Sequence, residues 1–175
     1  MDFSALDRIP GVDAKMEYLI PTSRINRRFW APGAEYNTGT YQTYDVHIRN
    51  ARLAPGPFTL DTHGFCLSRH KSAVTDWQAA AAHDSAYAQE VIDVTKALTG
   101  ADLVVPMAGQ WRTSGATGGK IQPPAAEAHV DFTDRSAQMV AKRMYDRAMP
   151  DGPGYDRFIC FSLWRALSPP PQDWP

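Results

Sequence analysis

The sequence predicts a mixed α/β fold in one domain, and three observations lead to that prediction. Prolines and glycines, 14 and 12 in 175 residues, interrupt the chain often, which favours short strands and loops over a helical bundle. One long block, residues 72–99, carries apolar side chains at the three- and four-residue spacings typical of helix. A short alternating segment, residues 126–133, leads directly into a second helical pattern.

The composition is that of an ordinary globular domain. Hydrophobic residues make up 43% of the chain, and 18 basic against 19 acidic side chains leave a net charge of -1. This balance provides no basic field for nucleic acid, so we expect no nucleic-acid partner. The N-terminus lacks the apolar run of a secretory signal, and no apolar stretch is long enough to cross a bilayer. We therefore expect a cytoplasmic protein that does not associate with membranes.

Short segments with recognisable periods follow one another along the chain. Residues 41–49 alternate apolar and polar side chains, which predicts a half-buried strand at an edge or in a hairpin. The block 72–99 predicts one or two helices, broken near residues 83–84 and ending at Gly100. The other predicted elements are short strands at 65–68, 102–107, 126–133 and 157–165, a mobile loop at 110–120, and a helix that starts at 134–136 and runs from 137 to 148.

His129 and Asp131 form the most informative pattern in the chain. On an extended strand, residues i and i+2 point to the same face, so this imidazole and this carboxylate can reach one ion. They would supply two thirds of the two-His, one-carboxylate facial triad of non-haem Fe(II) oxygenases. The pattern is short and arises often by chance, and the alternative is a strand histidine hydrogen-bonded to a neighbouring aspartate. A zinc hydrolase is disfavoured because the sequence has no H-E-x-x-H or similar pair.

Several segments occur in an order that resembles one protein family. They are residues 28–39 (RFWAPGAEYNTG), Gly64 and Phe65 with Arg69 and His70, residues 98–102 (LTGAD), residues 129–133 (HVDFT), and residues 163–165 (LWR) with the proline-rich 169–175. Together they resemble the CmcJ/NvfI (AsaB-like) family of Fe(II)/2-oxoglutarate-dependent oxygenases and hydroxylases or desaturases of secondary metabolism. The resemblance covers the chain from about Arg28 to Pro175.

The resemblance implies a fold, a reaction and a set of ligands. The fold would be mainly β, a double-stranded β-helix (a jelly-roll, cupin-like core) with flanking helices. His129 and Asp131 would hold Fe(II), with 2-oxoglutarate and O2 as cosubstrates. The substrate would be a small secondary metabolite that is hydroxylated or desaturated while 2-oxoglutarate is decarboxylated to succinate. The protein's part is to fix the ligands, orient the cosubstrate and exclude competing reactions.

The sequence departs from the family pattern after Asp131. A second metal histidine and a basic residue for 2-oxoglutarate are expected well after the H-x-D, yet no histidine follows His129. Three explanations stay open: residues 1–175 form one domain that lacks the C-terminal part of the β-helix, an earlier histidine replaces the missing ligand, or iron binding has been lost. The first is favoured. The earlier histidines are His47, His63, His70 and His83.

Three further residues are candidates for contact with the cosubstrate. Arg112, in the polar loop, could bind a carboxylate bidentately, and its alternative is a solvated loop arginine. Arg165, on the last β-prone segment, could contact cosubstrate or substrate, and its alternative is a structural ion pair. Thr133 follows the H-x-D closely, and its alternative is to cap the next helix.

A non-enzymatic function is the second hypothesis for the whole chain. A truncated or degenerate β-helix domain would bind a ligand or a partner chain without redox catalysis. In an incomplete β-helix, exposed strand edges need covering, and we expect a homo-oligomer or another partner chain to cover them.

Overall fold

A computed structural model of the 175-residue chain describes residues 3–22, 25–31, 34–77, 86–107, 109–113, 124–125 and 127–167. The chain divides into two compact units, each described here by itself. The first unit consists of Met1–Arg69 with Ala125–His129, and the second consists of His70–Pro124 with Val130–Pro175.

The first unit is built mainly from strands. A three-stranded sheet has the order β4, β1, β5, and a two-stranded sheet pairs β2 with β3. The strands are β1 (Gly11–Leu19), β2 (Arg28–Ala31), β3 (Ala34–Asn37), β4 (Tyr41–Arg49) and β5 (Glu127–Ala128), accompanied by 3-10 turns at Phe3–Arg8 and Ala51–Leu53 and a one-turn helix α1 (Leu60–His63).

The pairing of β1 with β4 is the most extensive contact of this unit. The two strands run antiparallel over nine residue pairs, from Gly11 opposite Arg49 to Leu19 opposite Tyr41. Because side chains alternate along a strand, one face carries an apolar row and the other a charged row. The apolar row is Val12, Ala14 and Met16 opposite Ile48, Val46 and Tyr44, and it ends at Tyr18, which lies opposite the polar Gln42.

The second unit carries the two longer helices. Helix α2 (Ala86–Thr99) ends at Gly100, which has a φ of 69° and whose backbone N–H donates to Lys96 O at 2.9 Å. Glycine adopts this left-handed conformation without steric cost, so it is the preferred residue at such an end. Helix α3 (Asp134–Ala148) begins with a capping box formed by Thr133 and Ser136.

Few side chains are fully buried in the described part of the chain. Ile9 is 7% exposed and Thr95 is 2% exposed, and the other side chains whose burial the structure describes are half-buried or exposed. Large apolar residues keep contact with solvent on both units, among them Val12 (64%), Val130 (85%) and Trp164 (70%). Apolar surface of this extent is available to further packing partners.

Two predicted elements are confirmed in their bounds, although β4 is mostly exposed and not half-buried. The strand predicted at 41–49 is β4, which lies at an end of the described three-stranded sheet. The helix predicted to start at 134–136 and to run to Ala148 is α3. The helical block 72–99 is confirmed for Ala86–Thr99, while residues 72–77 are not helical and 78–85, with the predicted break, lie outside the described residues.

Three predicted strands are wrong, because residues 65–68, 102–107 and 157–165 form no regular element. A β-prone segment becomes a strand only when its backbone finds a ladder partner, and no described strand pairs with these three. The strand predicted at 126–133 is reduced to Glu127–Ala128, with Ala126 outside the described residues. Residues 114–120 of the predicted loop and the C-terminal 168–175 lie outside them too.

The fold is therefore mixed α/β, with several strands in small sheets and few helices. Helical residues outnumber strand residues in the described ranges, so the predicted predominance of β-structure is not seen there. The five described strands do not by themselves form a double-stranded β-helix. None of the described helices has the length and apolar character needed to cross a membrane.

Candidate functional site

His129 directly follows β5 in the first unit. The parallel pairing of Glu127 with Glu17 and of Ala128 with Tyr18 fixes the strand against β1. The side chain of His129 is exposed, and its Nδ1 lies 2.9 Å from the carbonyl oxygen of Glu127. Since a carbonyl only accepts hydrogen bonds, Nδ1 is the donor in this contact, and in a neutral imidazole the lone pair is then on Nε2. A backbone carbonyl orients metal-binding histidines in this way.

Asp131 belongs to the second unit and is exposed as well. It lies at a bend two residues before Thr133, past the last residue of β5. The strand alternation that was predicted to place His129 and Asp131 on one face therefore does not extend through these residues.

The other histidines occupy separate positions. Nδ1 of His47 lies 2.7 Å from Asp13 Oδ1 across β1 and β4. Ala128 pairs with Tyr18, five residues further along β1 than Asp13, a distance of about 17 Å in a strand. His47 is thus remote from the end of β5 that carries His129.

His63 and His70 are engaged in local contacts. His63 accepts a hydrogen bond from Thr59 N at 3.0 Å and packs against the rings of Phe58 and Phe65. His70 Nε2 lies 3.2 Å from Glu90 Oε1, and His83 lies outside the described residues. In the part of the chain that the structure describes, no group of three or more His, Cys, Asp or Glu side chains could hold a metal ion.

Arg165 forms an ion pair with Glu90, a residue that the sequence analysis did not single out. Its Nη2 lies 3.2 Å from Glu90 Oε1, its Nη1 donates to His70 O at 3.2 Å, and its Nε reaches Tyr87 Oη at 3.4 Å. The guanidinium carbon also lies 5.6 Å from the ring centroids of both Trp77 and Tyr87, within cation–π range. The alternative of a structural ion pair is what the structure shows for Arg165.

Glu90 is the centre of this cluster, which we call the Glu90 cluster (Glu90, Arg165, His70 and Ser72). Its second carboxylate oxygen accepts hydrogen bonds from Ser72 Oγ at 2.9 Å and Ala73 N at 3.0 Å. Partial burial raises the pKa of Glu90, but the hydrogen bonds from Ser72 and Ala73 and the charges of His70 and Arg165 outweigh it, so its pKa lies below the usual value. The carboxylate is therefore held ionised. The sequence carries no signal for this role, because glutamate is common in helices, and only the contacts of the folded chain identify Glu90 as the centre of the cluster.

Arg112 and Thr133 have defined local partners. Arg112 is half-buried, and its Nη2 donates to Gln110 Oε1 at 2.8 Å. Thr133 Oγ1 accepts from Ser136 N at 3.2 Å, and Ser136 Oγ accepts from Thr133 N at 2.9 Å. The capping alternative for Thr133 is thereby confirmed.

Comparison with known proteins identifies related sequences. The family described as "YDMC: Oxidoreductase/YMDC permease-like domain" matches residues 16–175. The chain is 29% identical to the Fe(II)/2-oxoglutarate-dependent dioxygenase nvfI of Aspergillus novofumigatus over 153 residues, which are 82% of this chain and 53% of that protein. No solved structure gives a significant match.

Two further relatives are named as hydroxylase/desaturases. CTB9 of Cercospora beticola is 33% identical over 97 residues, covering 54% of this chain and 30% of that protein. The efuI protein of Hormonema carpetanum is 27% identical over 141 residues, covering 73% of this chain and 47% of that protein. The chain thus spans about half the length, or less, of the curated relatives that it matches.

Proposed function

Because the chain belongs to the oxidoreductase/YMDC permease-like domain family, we propose that it acts in Fe(II)/2-oxoglutarate-dependent oxidation of a small secondary metabolite. The oxidation would be a hydroxylation or a desaturation, coupled to decarboxylation of 2-oxoglutarate to succinate. The observation that carries the proposal is the relationship to three proteins named as a dioxygenase or as hydroxylase/desaturases. The double-stranded β-helix is part of this proposal, as the fold in which the reaction would occur.

The proposal assigns His129 and Asp131 as two of the iron ligands. Both lie within the segment that matches the family. The hydrogen bond from Nδ1 of His129 to the Glu127 carbonyl supports the assignment, since it leaves the lone pair on the nitrogen that a metal would use. The exposure of both side chains keeps them accessible to solute.

The described residues do not complete a facial triad. No third His, Cys, Asp or Glu joins a metal-binding group in the described ranges, whereas a non-haem iron oxygenase site uses two histidines and one carboxylate. Within the described residues, the chain holds His129 at one end of β5 and orients its ring through the Glu127 carbonyl.

In this proposal, Arg112 and Arg165 are the candidates for binding the carboxylates of 2-oxoglutarate, and Thr133 is a further candidate contact. A carboxylate that binds Arg165 would have to replace Glu90, whose side chain is 13% exposed. One described partner of Arg112 is the amide of Gln110, and an arginine binds a carboxylate more strongly than an amide.

Anaerobic titration of the chain with Fe(II) and 2-oxoglutarate tests the iron assignment. We expect a metal-to-ligand charge-transfer absorption that is lost in His129→Ala and in Asp131→Ala. His47→Ala is the matched control, because His47 bonds Asp13, about 17 Å along β1 from the residue that pairs with the end of β5, and its loss should leave the absorption unchanged. Circular dichroism of each variant establishes that it is folded.

Absence of the absorption in the folded wild-type chain would refute the catalytic proposal for these 175 residues. It would favour the second hypothesis, a domain that binds a ligand or partner without redox catalysis. If the absorption is present, succinate release in air with 2-oxoglutarate as the varied reactant tests the cosubstrate site. We expect Arg112→Lys to raise the KM for 2-oxoglutarate more than Arg165→Lys does, because Glu90 already occupies the guanidinium of Arg165.

A further inference from the structure

The outer edge of β4 carries backbone groups that point away from the rest of the sheet. Ile20 N donates to Thr40 O, and Asn50 N donates to Pro10 O. In an antiparallel pair, hydrogen-bonded and non-hydrogen-bonded positions alternate. The even-numbered residues of β4 therefore direct their N–H and C=O groups toward β1, and the odd-numbered residues direct theirs outward.

This edge is long and regular. The register between β1 and β4 continues without a bulge over nine pairs, and the segment YQTYDVHIR contains no proline. Among the described residues, β1 is the one strand that pairs with β4. Bulges, prolines, short length and charged side chains protect edge strands against pairing. Strand β4 lacks the first three, and its charged side chains, Asp45, His47 and Arg49, restrict the register that a second strand can adopt.

We propose that a second copy of this chain pairs with this edge, β4 against β4, antiparallel and centred on Val46. Centring on Val46 places apolar residues opposite apolar residues and charged residues opposite residues of complementary character. The resulting pairs are Val46 with Val46, Tyr44 with Ile48, Asp45 with His47, and Thr43 with Arg49, where each partner comes from the other copy.

Charge complementarity selects this register. Within one copy, Lys15 Nζ lies 2.6 Å from Asp45 Oδ1, and His47 Nδ1 lies 2.7 Å from Asp13 Oδ1. Pairing Asp45 of one copy with His47 of the other joins these two pairs into one row across four strands. The row reads Lys15, Asp45, His47, Asp13, so that Asp45 lies between Lys15 and His47, and Asp13 lies beside His47.

Neighbouring registers lack this complementarity. Centring on Asp45 places two carboxylates directly opposite each other, and centring on His47 does the same with two imidazoles. Centring on Tyr44 places Val46 opposite the polar Gln42. A register that pairs odd-numbered residues of one copy with even-numbered residues of the other places the apolar side chains of one β4 beside the charged side chains of the other. Such a slip of one residue moves the apolar rows of the two copies to opposite faces of the joint sheet.

The opposite face of the sheet gains apolar neighbours in the same arrangement. Tyr44 and Ile48 are 43% and 41% exposed, and each would lie beside the other across the new strand pair. Val46 sits on the two-fold axis at a non-hydrogen-bonded position, where opposing side chains come closest. The outward N–H and C=O groups of Thr43, Asp45, His47 and Arg49 would all be hydrogen-bonded.

Two substitutions at Thr43 test the register, because they act oppositely on folding and on association. Within one copy Thr43 lies opposite Glu17, whereas in the proposed dimer it lies opposite Arg49. Thr43→Lys should stabilise the fold and weaken the dimer, and Thr43→Glu should do the reverse. With two such pairs in each dimer, we expect the dissociation constants of the two variants to differ about tenfold.

Sedimentation equilibrium of the full chain at several concentrations and at low salt measures these constants. A dimer that follows the predicted order, Thr43→Glu tighter than Thr43→Lys, supports the proposal. A wild-type chain that stays monomeric over the whole concentration range overturns it. So does a dimer whose dissociation constant is the same in both variants, because association would then use another surface.

Disulfide cross-linking tests the position of the two-fold axis independently of affinity. In a background with Cys66→Ser and Cys160→Ser, Val46→Cys should form a covalent dimer on mild oxidation. Tyr44→Cys is the matched control, since Tyr44 lies opposite Ile48 and its counterpart is four residues away, about 13 Å along the strand. Equal cross-linking of both variants, or none in Val46→Cys, would exclude the register centred on Val46.

Discussion

Two ion pairs of the same chemical type lie in very different surroundings in the two units. In the first unit, Lys15 and Asp45 face each other across β1 and β4 with side chains 73% and 86% exposed. In the second unit, Arg165 and Glu90 are 20% and 13% exposed. The Arg165 and Glu90 pair is also enclosed by further hydrogen bonds and by two aromatic rings.

Burial decides how much each pair contributes to stability. Water screens the exposed pair, and ordering two long side chains costs conformational entropy, so pairs of this kind stabilise little. In the Glu90 cluster, removing one partner leaves a poorly solvated charge without its counterion, which is strongly destabilising. The shorter of the two contacts, 2.6 Å between Lys15 and Asp45 against 3.2 Å between Arg165 and Glu90, therefore belongs to the weaker interaction.

Replacement of Glu90 should produce the largest effect. Glu90→Ala removes the acceptor of Arg165, Ser72, Ala73 and His70 together, and we expect a loss of about 3 kcal/mol in the free energy of unfolding. Urea denaturation followed by circular dichroism measures it. Asp93→Ala, three residues further along α2, is the control and should change the free energy by less than about 0.5 kcal/mol. Equal effects of both variants would contradict the central position of Glu90.

The pH dependence of Glu90→Gln sharpens the same comparison. The pKa of Glu90 lies below its ordinary value of 4.5 in the folded protein, so folding favours the ionised carboxylate. Its contribution is complete above pH 4.5 and is lost as the pH falls through the folded-state pKa. Denaturation curves of the wild type and Glu90→Gln should therefore differ most near neutral pH and converge at acidic pH. A constant difference at all pH values would exclude this linkage.

The cap of α3 provides an intermediate case. Thr133→Ala removes one half of the capping box, and we expect a loss of about 1 kcal/mol in stability. Thr133→Ser keeps the hydroxyl and should restore most of it. If Thr133→Ala weakened 2-oxoglutarate binding without any loss of stability, its role would be in the site and not in the cap.

Replacement of Lys15 should produce the smallest effect. Lys15→Ala removes the exposed pair with Asp45, and the expected loss is about 0.5 kcal/mol or less. Because salt screens exposed charges, the loss should shrink further in high salt. A double-mutant cycle with Asp45→Ala isolates the pairwise energy. A coupling as large as that between Arg165 and Glu90 would overturn the argument from burial.

Local signals in the sequence predicted part of the fold. The alternation of residues 41–49 was enough to predict β4, because period-two patterning fixes which side chains share a face. The start of α3 was predicted from Asp134 and Ser136, since the orphan N–H groups of a helix end demand such side chains nearby in sequence. The candidate His129 came from residue type and spacing alone.

Other features could not be predicted because they depend on partners far away in sequence. The segment 157–165 has strand-forming side chains, yet the described structure gives its backbone no ladder partner. Strand β1 was missed because its pattern becomes clear only opposite β4, about 30 residues later. Glu90 was missed because the sequence of α2 carries no signal for its contacts with Ser72 and Arg165.

The sequence by itself determined the features that short-range chemistry controls, which are the alternation of β4, the capped start of α3 and the glycine at the end of α2. It also determined the family relationship of the chain, from which the candidates His129 and Asp131 follow. Tertiary structure alone decided which partners the candidate site residues contact. It placed Arg165 against Glu90, 75 residues away, and it ended β5 before His129. Long-range pairing decides such outcomes because a charge or a backbone group is stabilised by whatever partner the folded chain brings within bonding distance, and spacing along the sequence does not encode that distance.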